Sequence, residues 1–167
     1  MVVIGADARA QHVPDGFMDA AEVVLGLVVD IRYAGEHNFV GRPIDGYEAP
    51  RCLLTRPAAQ ALAAVQNDLA TSRLGLKAFD YYRPARAVAH FVRWARDPSD
   101  TARKAEFYPS IEKRDLFRLG YMSHRSRHSR GSTVDLTPVD RRSGREVDMG
   151  TDFGSVAKLV FRACGYL

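Results

Sequence analysis

At 167 residues, 46% hydrophobic and 26% charged, the chain has the make-up of an ordinary soluble globular protein and the length to bury a core without staples. No run of about 18 apolar residues occurs, which excludes a membrane-spanning helix. A net charge of +4 permits weak attraction to anionic surfaces but does not demand a nucleic-acid or membrane partner.

Residues 1–16 show no periodicity and carry Pro14 and Gly16, so they read as a loose arm ahead of a domain over 17–167. They also lack the basic-then-apolar pattern of a secretory leader. Cys52 and Cys164 lie far apart outside any motif and read as buried free thiols of a reducing compartment, so the expectation is a cytoplasmic protein.

Phe17 to Glu22 suits a short turn or helix, and the apolar run Val23–Val29 suits a buried strand or short helix. Val28 to Tyr33 reads as a strand end, and Ala34 to Pro50, rich in Gly, Pro, Asn and Asp, as a long loop. Thr55 is placed to cap a helix with Pro57 in its first turn. Ala58, Leu62, Val65 and Leu69 give that helix an apolar stripe reaching about Arg73.

Leu74 to Tyr82 has the composition of a central strand. Pro84 opens a second helix with Ala85, Val88, Val92 and Ala95 on one face, ended by Asp97-Pro98-Ser99-Asp100. Residues 101–126 read as irregular, Thr133 to Pro138 as a strand, and Asp140 to Gly144 as a hairpin turn leading to a strand near Glu146–Met149. Gly154 to Ala163 has helical spacing. Helices mixed with short strands, without strict βαβ alternation, point to the α+β class.

The chemistry-bearing residues sit at element ends. His128 and Asp135 are seven residues apart with Gly131 between them, a spacing that suits one metal ligand from a loop and a second from the strand after it. The same residues would also serve as a loop histidine and a capping aspartate. Arg83 closes the most apolar strand just before Pro84, where a fixed positive charge can face a cleft and stabilise an oxyanion, or simply form a salt bridge. Tyr33, three residues after Asp30, stands at another strand end as either a ligand contact or a core aromatic. The run Arg125 to Arg130 is dense enough in arginine to suggest a nucleic-acid patch.

Taken in order, these segments match a pattern. Asp30-Ile31-Arg32-Tyr33-Ala34 is followed by Asn38-Phe39-Val40-Gly41-Arg42-Pro43-Ile44-Asp45-Gly46-Tyr47. Asp80-Tyr81-Tyr82-Arg83-Pro84-Ala85-Arg86-Ala87-Val88, Phe91-Val92-Arg93-Trp94-Ala95 and Tyr108-Pro109-Ser110-Ile111 come next. The most specific block is Ser126-Arg127-His128-Ser129-Arg130-Gly131-Ser132-Thr133-Val134-Asp135-Leu136-Thr137, and Asp148-Met149-Gly150-Thr151 closes the series. Over roughly residues 17–153 the chain resembles the zinc-dependent D-alanyl-D-alanine dipeptidases of vancomycin resistance and peptidoglycan recycling.

The resemblance implies a small α+β domain with a central antiparallel sheet flanked by helices and Zn2+ in a narrow cavity. It implies hydrolysis of the dipeptide D-Ala-D-Ala to two D-alanines. By the same resemblance His128 and Asp135 are two of three zinc ligands, Arg83 stabilises the transition state, and Tyr33 and Ser126 hold the dipeptide. The basic run then belongs mostly to the motif, so no nucleic-acid partner and no membrane partner are expected.

Such enzymes complete the site with a Glu-x-x-His segment that supplies the general base and the third ligand. No histidine follows His128 in these residues, and the only glutamate after it is Glu146. Gly154 stands where many relatives have an aspartate after the phenylalanine. The chain therefore reads as a C-terminally truncated member of the family. The alternative to the active enzyme is a catalytically impaired homologue that keeps the fold and at most binds dipeptide. His124 and Asp152 are the candidates to substitute for the missing ligand.

Overall fold

The computed structural model describes residues 13–150. The expected helix over Gly154–Ala163, together with Asp152 and Cys164, lies outside the described residues. Among the described residues no helix is long and apolar enough to cross a membrane.

The α+β expectation holds. A two-stranded antiparallel sheet joins β1 (Phe17–Asp19) to β3 (Leu53–Thr55). A three-stranded sheet has the order β2-β4-β5, with β4 (Leu74–Asp80) in the centre. On one side β4 pairs antiparallel with β5 (Asp135–Asp140), from Leu74↔Asp140 to Asp80↔Asp135, with an irregularity between Ala78 and Asp80. On the other side it pairs in parallel with the two residues of β2 (Val28–Val29), so the sheet is mixed.

The N-terminal elements differ from expectation. Phe17–Asp19 extends as β1 before a 3-10 turn over Ala20–Glu22. Only the last two residues of the apolar run form strand, because Gly26 turns the chain at φ +79°. The turn buries Val24 and leaves Leu25 in solvent. Tyr33 lies in a 3-10 helix over Arg32–Ala34, not in a strand end.

Helix α1 (Arg56–Ala70) starts after Thr55 as anticipated, but the Thr55 hydroxyl bonds Ser132 Oγ (3.0 Å) instead of capping the helix. Its buried face is Ala59, Leu62 and Gln66, with Val65 left half exposed. The stripe is rotated by about one residue because the Gln66 amide is needed inside. Its Oε1 accepts the Leu76 N–H (2.8 Å), and its Nε2 donates to the Leu25 carbonyl (3.0 Å). One side chain thus satisfies backbone groups of β4 and of the turn before β2. A Gln66→Ala variant leaves the buried Leu76 donor without a partner, so a loss of about 1–3 kcal/mol is expected in urea unfolding.

Helix α2 (Ala85–Arg96) buries Ala87, Val88, Phe91, Trp94 and Ala95. Phe91 and Trp94, carrying the most apolar area, turn the inward face away from Val92. They pack with Tyr33, Val40, Ile44, Phe107, Tyr108 and Leu116 in one core cluster. A second cluster, with Leu54, Leu62, Leu76, Ala78 and Tyr81, lies between α1 and the sheets. Cys52 is a buried free thiol in that second cluster, its pKa pushed up to about 12 by burial.

The loop over 34–50 is tied down by Asn38. Its amide donates to the carbonyls of Arg32, Gly35 and Arg42 and accepts from the Val40 and Gly41 N–H groups. Residues 101–126 are largely irregular but contain a one-turn helix, α3 (Lys104–Phe107). Lys113 is buried there, donating to the carbonyls of Asp97 (2.7 Å) and Asp100 (2.8 Å) with its ammonium 3.9 Å from the Trp94 ring centre. After the turn at Asp140–Gly144 the expected strand is reduced to one bridge, Val139↔Glu146, and a Val147 N–H to Pro138 bond.

Candidate metal centre

The site forms where β4 ends and β5 begins. Antiparallel pairing puts Asp80, at the C-terminal end of β4, opposite Asp135, at the start of β5. The chain leaving β4 brings Arg83 alongside. His128 sits in a 3-10 turn over Arg127–Arg130, which ends at Gly131 in the left-handed region (φ +72°). A Cβ at Gly131 would overlap the Phe17 ring, so only glycine turns the chain here.

Backbone bonds lock the histidine turn to its surroundings. Arg83 N–H donates to the His128 carbonyl (3.3 Å), Ser129 Oγ to the Arg83 carbonyl (2.8 Å), and Thr55 N–H to the Gly131 carbonyl (2.8 Å).

The ring nitrogens of His128 have different neighbours. Nδ1 lies 2.9 Å from the Tyr81 carbonyl oxygen, which can only accept, so Nδ1 carries a hydrogen. In the neutral ring Nε2 then presents a lone pair, and it faces Asp135 Oδ1 at 3.5 Å. A lone pair against a carboxylate is repulsive unless a proton or a cation lies between them. Two donors of a tetrahedral zinc, each about 2.0–2.1 Å from the ion, stand about 3.3 Å apart, close to the observed spacing. The residues present therefore fit a metal ion.

Without an ion, a proton takes that place. Burial works against the imidazolium, but the Asp135 hydrogen bond and the charges of Asp80 and Asp135 outweigh it, and the His128 pKa lies above the ordinary imidazole range.

Among the described residues, Asp80, His128 and Asp135 are the one group of His, Cys, Asp or Glu whose ligand atoms lie close enough to share a metal. Asp80 is fully buried. Its Oδ1 accepts from the Tyr47 hydroxyl (2.5 Å). Its Oδ2 accepts from Arg83 Nε (3.2 Å) and Nη2 (2.5 Å) and lies 3.3 Å from His128 Nδ1. Burial raises the Asp80 pKa, with Arg83, His128 and Tyr47 each acting the other way.

Arg83 lies over the rings of Tyr33 (5.3 Å) and Phe91 (5.1 Å), which support the guanidinium from beneath. Burial raises the Tyr33 and Tyr47 phenols well above their usual range, so both remain hydrogen-bond donors.

The structure thus brings together four of the five residues singled out in the sequence: Tyr33, Arg83, His128 and Asp135. Ser126 is the N-cap of the histidine turn, accepting from the His128 N–H (3.2 Å). It also lines a surface groove with Val88, Arg93 and Arg125. His124 stacks face to face on Phe117, with ring centres 4.4 Å apart, and is not part of the metal group. Asp80 and Tyr47 went without a role in the sequence. The available signal was a carboxylate at the end of an apolar strand, three residues before an arginine.

An imidazole–carboxylate pair beside a buried arginine, at the end of a sheet in an α+β domain, is the kind of donor set that metallopeptidases use. Comparison with known proteins narrows this class. A family model described as D-ala-D-ala dipeptidase matches residues 14–160, and the chain belongs to that family. It is 42% identical over 139 residues to a D-alanyl-D-alanine dipeptidase of Enterococcus faecalis, covering 83% of this chain and 69% of the relative. The corresponding protein of Enterococcus faecium is 40% identical over 138 residues, covering 83% and 68%. That of Streptomyces coelicolor is 43% identical over 129 residues, covering 77% and 64%.

Proposed function

We propose that the chain is a zinc-dependent dipeptidase that hydrolyses D-Ala-D-Ala to two D-alanines, serving peptidoglycan metabolism or glycopeptide resistance. The observation that carries this reading is the placement of His128 Nε2 opposite Asp135 Oδ1 at 3.5 Å beside a buried arginine. His128 and Asp135 would hold the metal. When bound, zinc supplies Lewis acidity toward a peptide carbonyl and toward a water.

The charge-stabilising and positioning roles belong to the protein's own side chains, whereas the general base and third ligand of a Glu-x-x-His segment are not among these residues. Arg83 keeps a fixed positive charge in a mostly buried setting, where it stabilises an oxyanion more strongly than it would in water. Asp80 takes two of its five N–H donors and sets the plane of the guanidinium. Tyr33 supports Arg83 from below, and by family resemblance it would also help hold the dipeptide. Ser126, the N-cap of the histidine turn, would contribute a hydroxyl to holding the dipeptide. A cytoplasmic location accords with the buried free thiol of Cys52.

The test is D-alanine release from D-Ala-D-Ala by the zinc-loaded chain, followed with a D-amino-acid oxidase assay. Release is expected to fall about 10²–10³-fold in Arg83→Ala, the usual cost of losing an oxyanion donor. Dipeptide binding with no D-alanine released would overturn the catalytic reading and identify a homologue that only binds.

A further inference from the structure

We infer that Asp80 is a positioning residue, clamped by Tyr47, that orients both the metal-binding imidazole of His128 and the guanidinium of Arg83. The inference rests on the zinc reading above and assigns Asp80 a place outside the ligand set.

Proximity alone would make Asp80 a third ligand, since it falls within the metal-compatible group. The directions of the atoms argue otherwise. Asp80 Oδ2 lies on the Nδ1 edge of the His128 ring at 3.3 Å, whereas Asp135 lies on the Nε2 edge at 3.5 Å. A metal held by Nε2 and Asp135 is therefore across the ring from Asp80. Both Asp80 oxygens are already engaged, Oδ1 by the Tyr47 hydroxyl and Oδ2 by Arg83. The side chain is fully buried.

An anionic oxygen on the far side of a ligating imidazole does two things. It fixes the tautomer and ring orientation together with the Tyr81 carbonyl, and it makes Nε2 a stronger donor. The same oxygen holds Arg83, so one carboxylate sets the relative placement of two groups drawn from segments 45 residues apart in sequence. Tyr47 prevents the carboxylate from rotating. Its presence explains why the loop over 34–50 reaches back to the end of β4.

The experiment measures zinc affinity by competition with a chromophoric chelator for wild type, Asp80→Asn and Tyr47→Phe, with circular dichroism to establish folding. The expected result is binding about 10–100-fold weaker in Asp80→Asn and several-fold weaker in Tyr47→Phe. A purely structural role would lower the melting temperature and leave the affinity of the folded protein unchanged. Unchanged affinity in a folded Asp80→Asn would overturn the inference while leaving the zinc reading intact. If Asp80→Asn does not fold, Tyr47→Phe, which keeps the carboxylate, decides on the same criterion. Failure of wild type itself to bind zinc would instead sink the zinc reading, and this inference with it.

Discussion

His128→Ala is expected to abolish stoichiometric zinc uptake, and Asp135→Ala to do the same, as read by metal analysis after gel filtration. Wild-type uptake should also depend on pH in a definite direction. The His128 pKa in the metal-free protein lies above the ordinary imidazole range. Below that raised value a cation must displace a proton, so affinity should fall about tenfold per pH unit as the solution is acidified. Above it the dependence on this group should level off.

The metal-free fold should behave in the opposite sense. A group whose pKa is raised by folding stabilises the native state fully below its unfolded value, about 6.5 for histidine. That contribution is lost as pH rises from there through the folded value. Metal-free protein should therefore melt higher on the acid side of this window than above it, whereas zinc-loaded protein should gain from the same rise. Melting curves with and without chelator check both signs. The His128→Ala variant should lose both dependences.

Gly131→Ala is expected to cost roughly 2–5 kcal/mol, combining the left-handed backbone penalty with overpacking against Phe17. For a chain of this size that is a fall of roughly 5–15 °C in melting temperature. The two parts are separable. In Phe17→Ala/Gly131→Ala the ring is gone and only the backbone part remains, so the second substitution should cost less in that background than alone. Equal costs in both backgrounds would show that the Phe17 contact contributes nothing.

What the sequence allowed, and what it concealed, can be followed residue by residue. The helices α1 and α2 and the strand β4 were legible because they are long enough for periodicity and end markers to speak, as at Pro57 and Pro84. The rotation of α1 was not, because Gln66 scores as a surface residue until its partners, Leu76 N–H and Leu25 C=O, are known. The run Val23–Val29 was misread because its hydrophobicity is continuous, and only Gly26 marks the turn that exposes Leu25.

At the site, His128 and Asp135 were visible as a spaced pair, and Arg83 as a charge at a strand end. Asp80 carried only the faint mark of a carboxylate at a strand end three residues before an arginine. Its importance comes from the Asp80↔Asp135 register and from a tyrosine 33 positions earlier, both of them products of tertiary structure.

The histidine turn is stitched to the exit of β4 by bonds between residues 46 or 47 positions apart in sequence. Closing loops of that length is entropically costly and slow compared with forming α1 or α2. The donor atoms of the cluster therefore have no local nucleus from which to assemble. They come together only in the tertiary fold in which β4 and β5 are paired, and within no single local element. A cation recognising that centre selects chains whose long-range topology is already complete, so metal capture would report on the finished fold and not on its early helices.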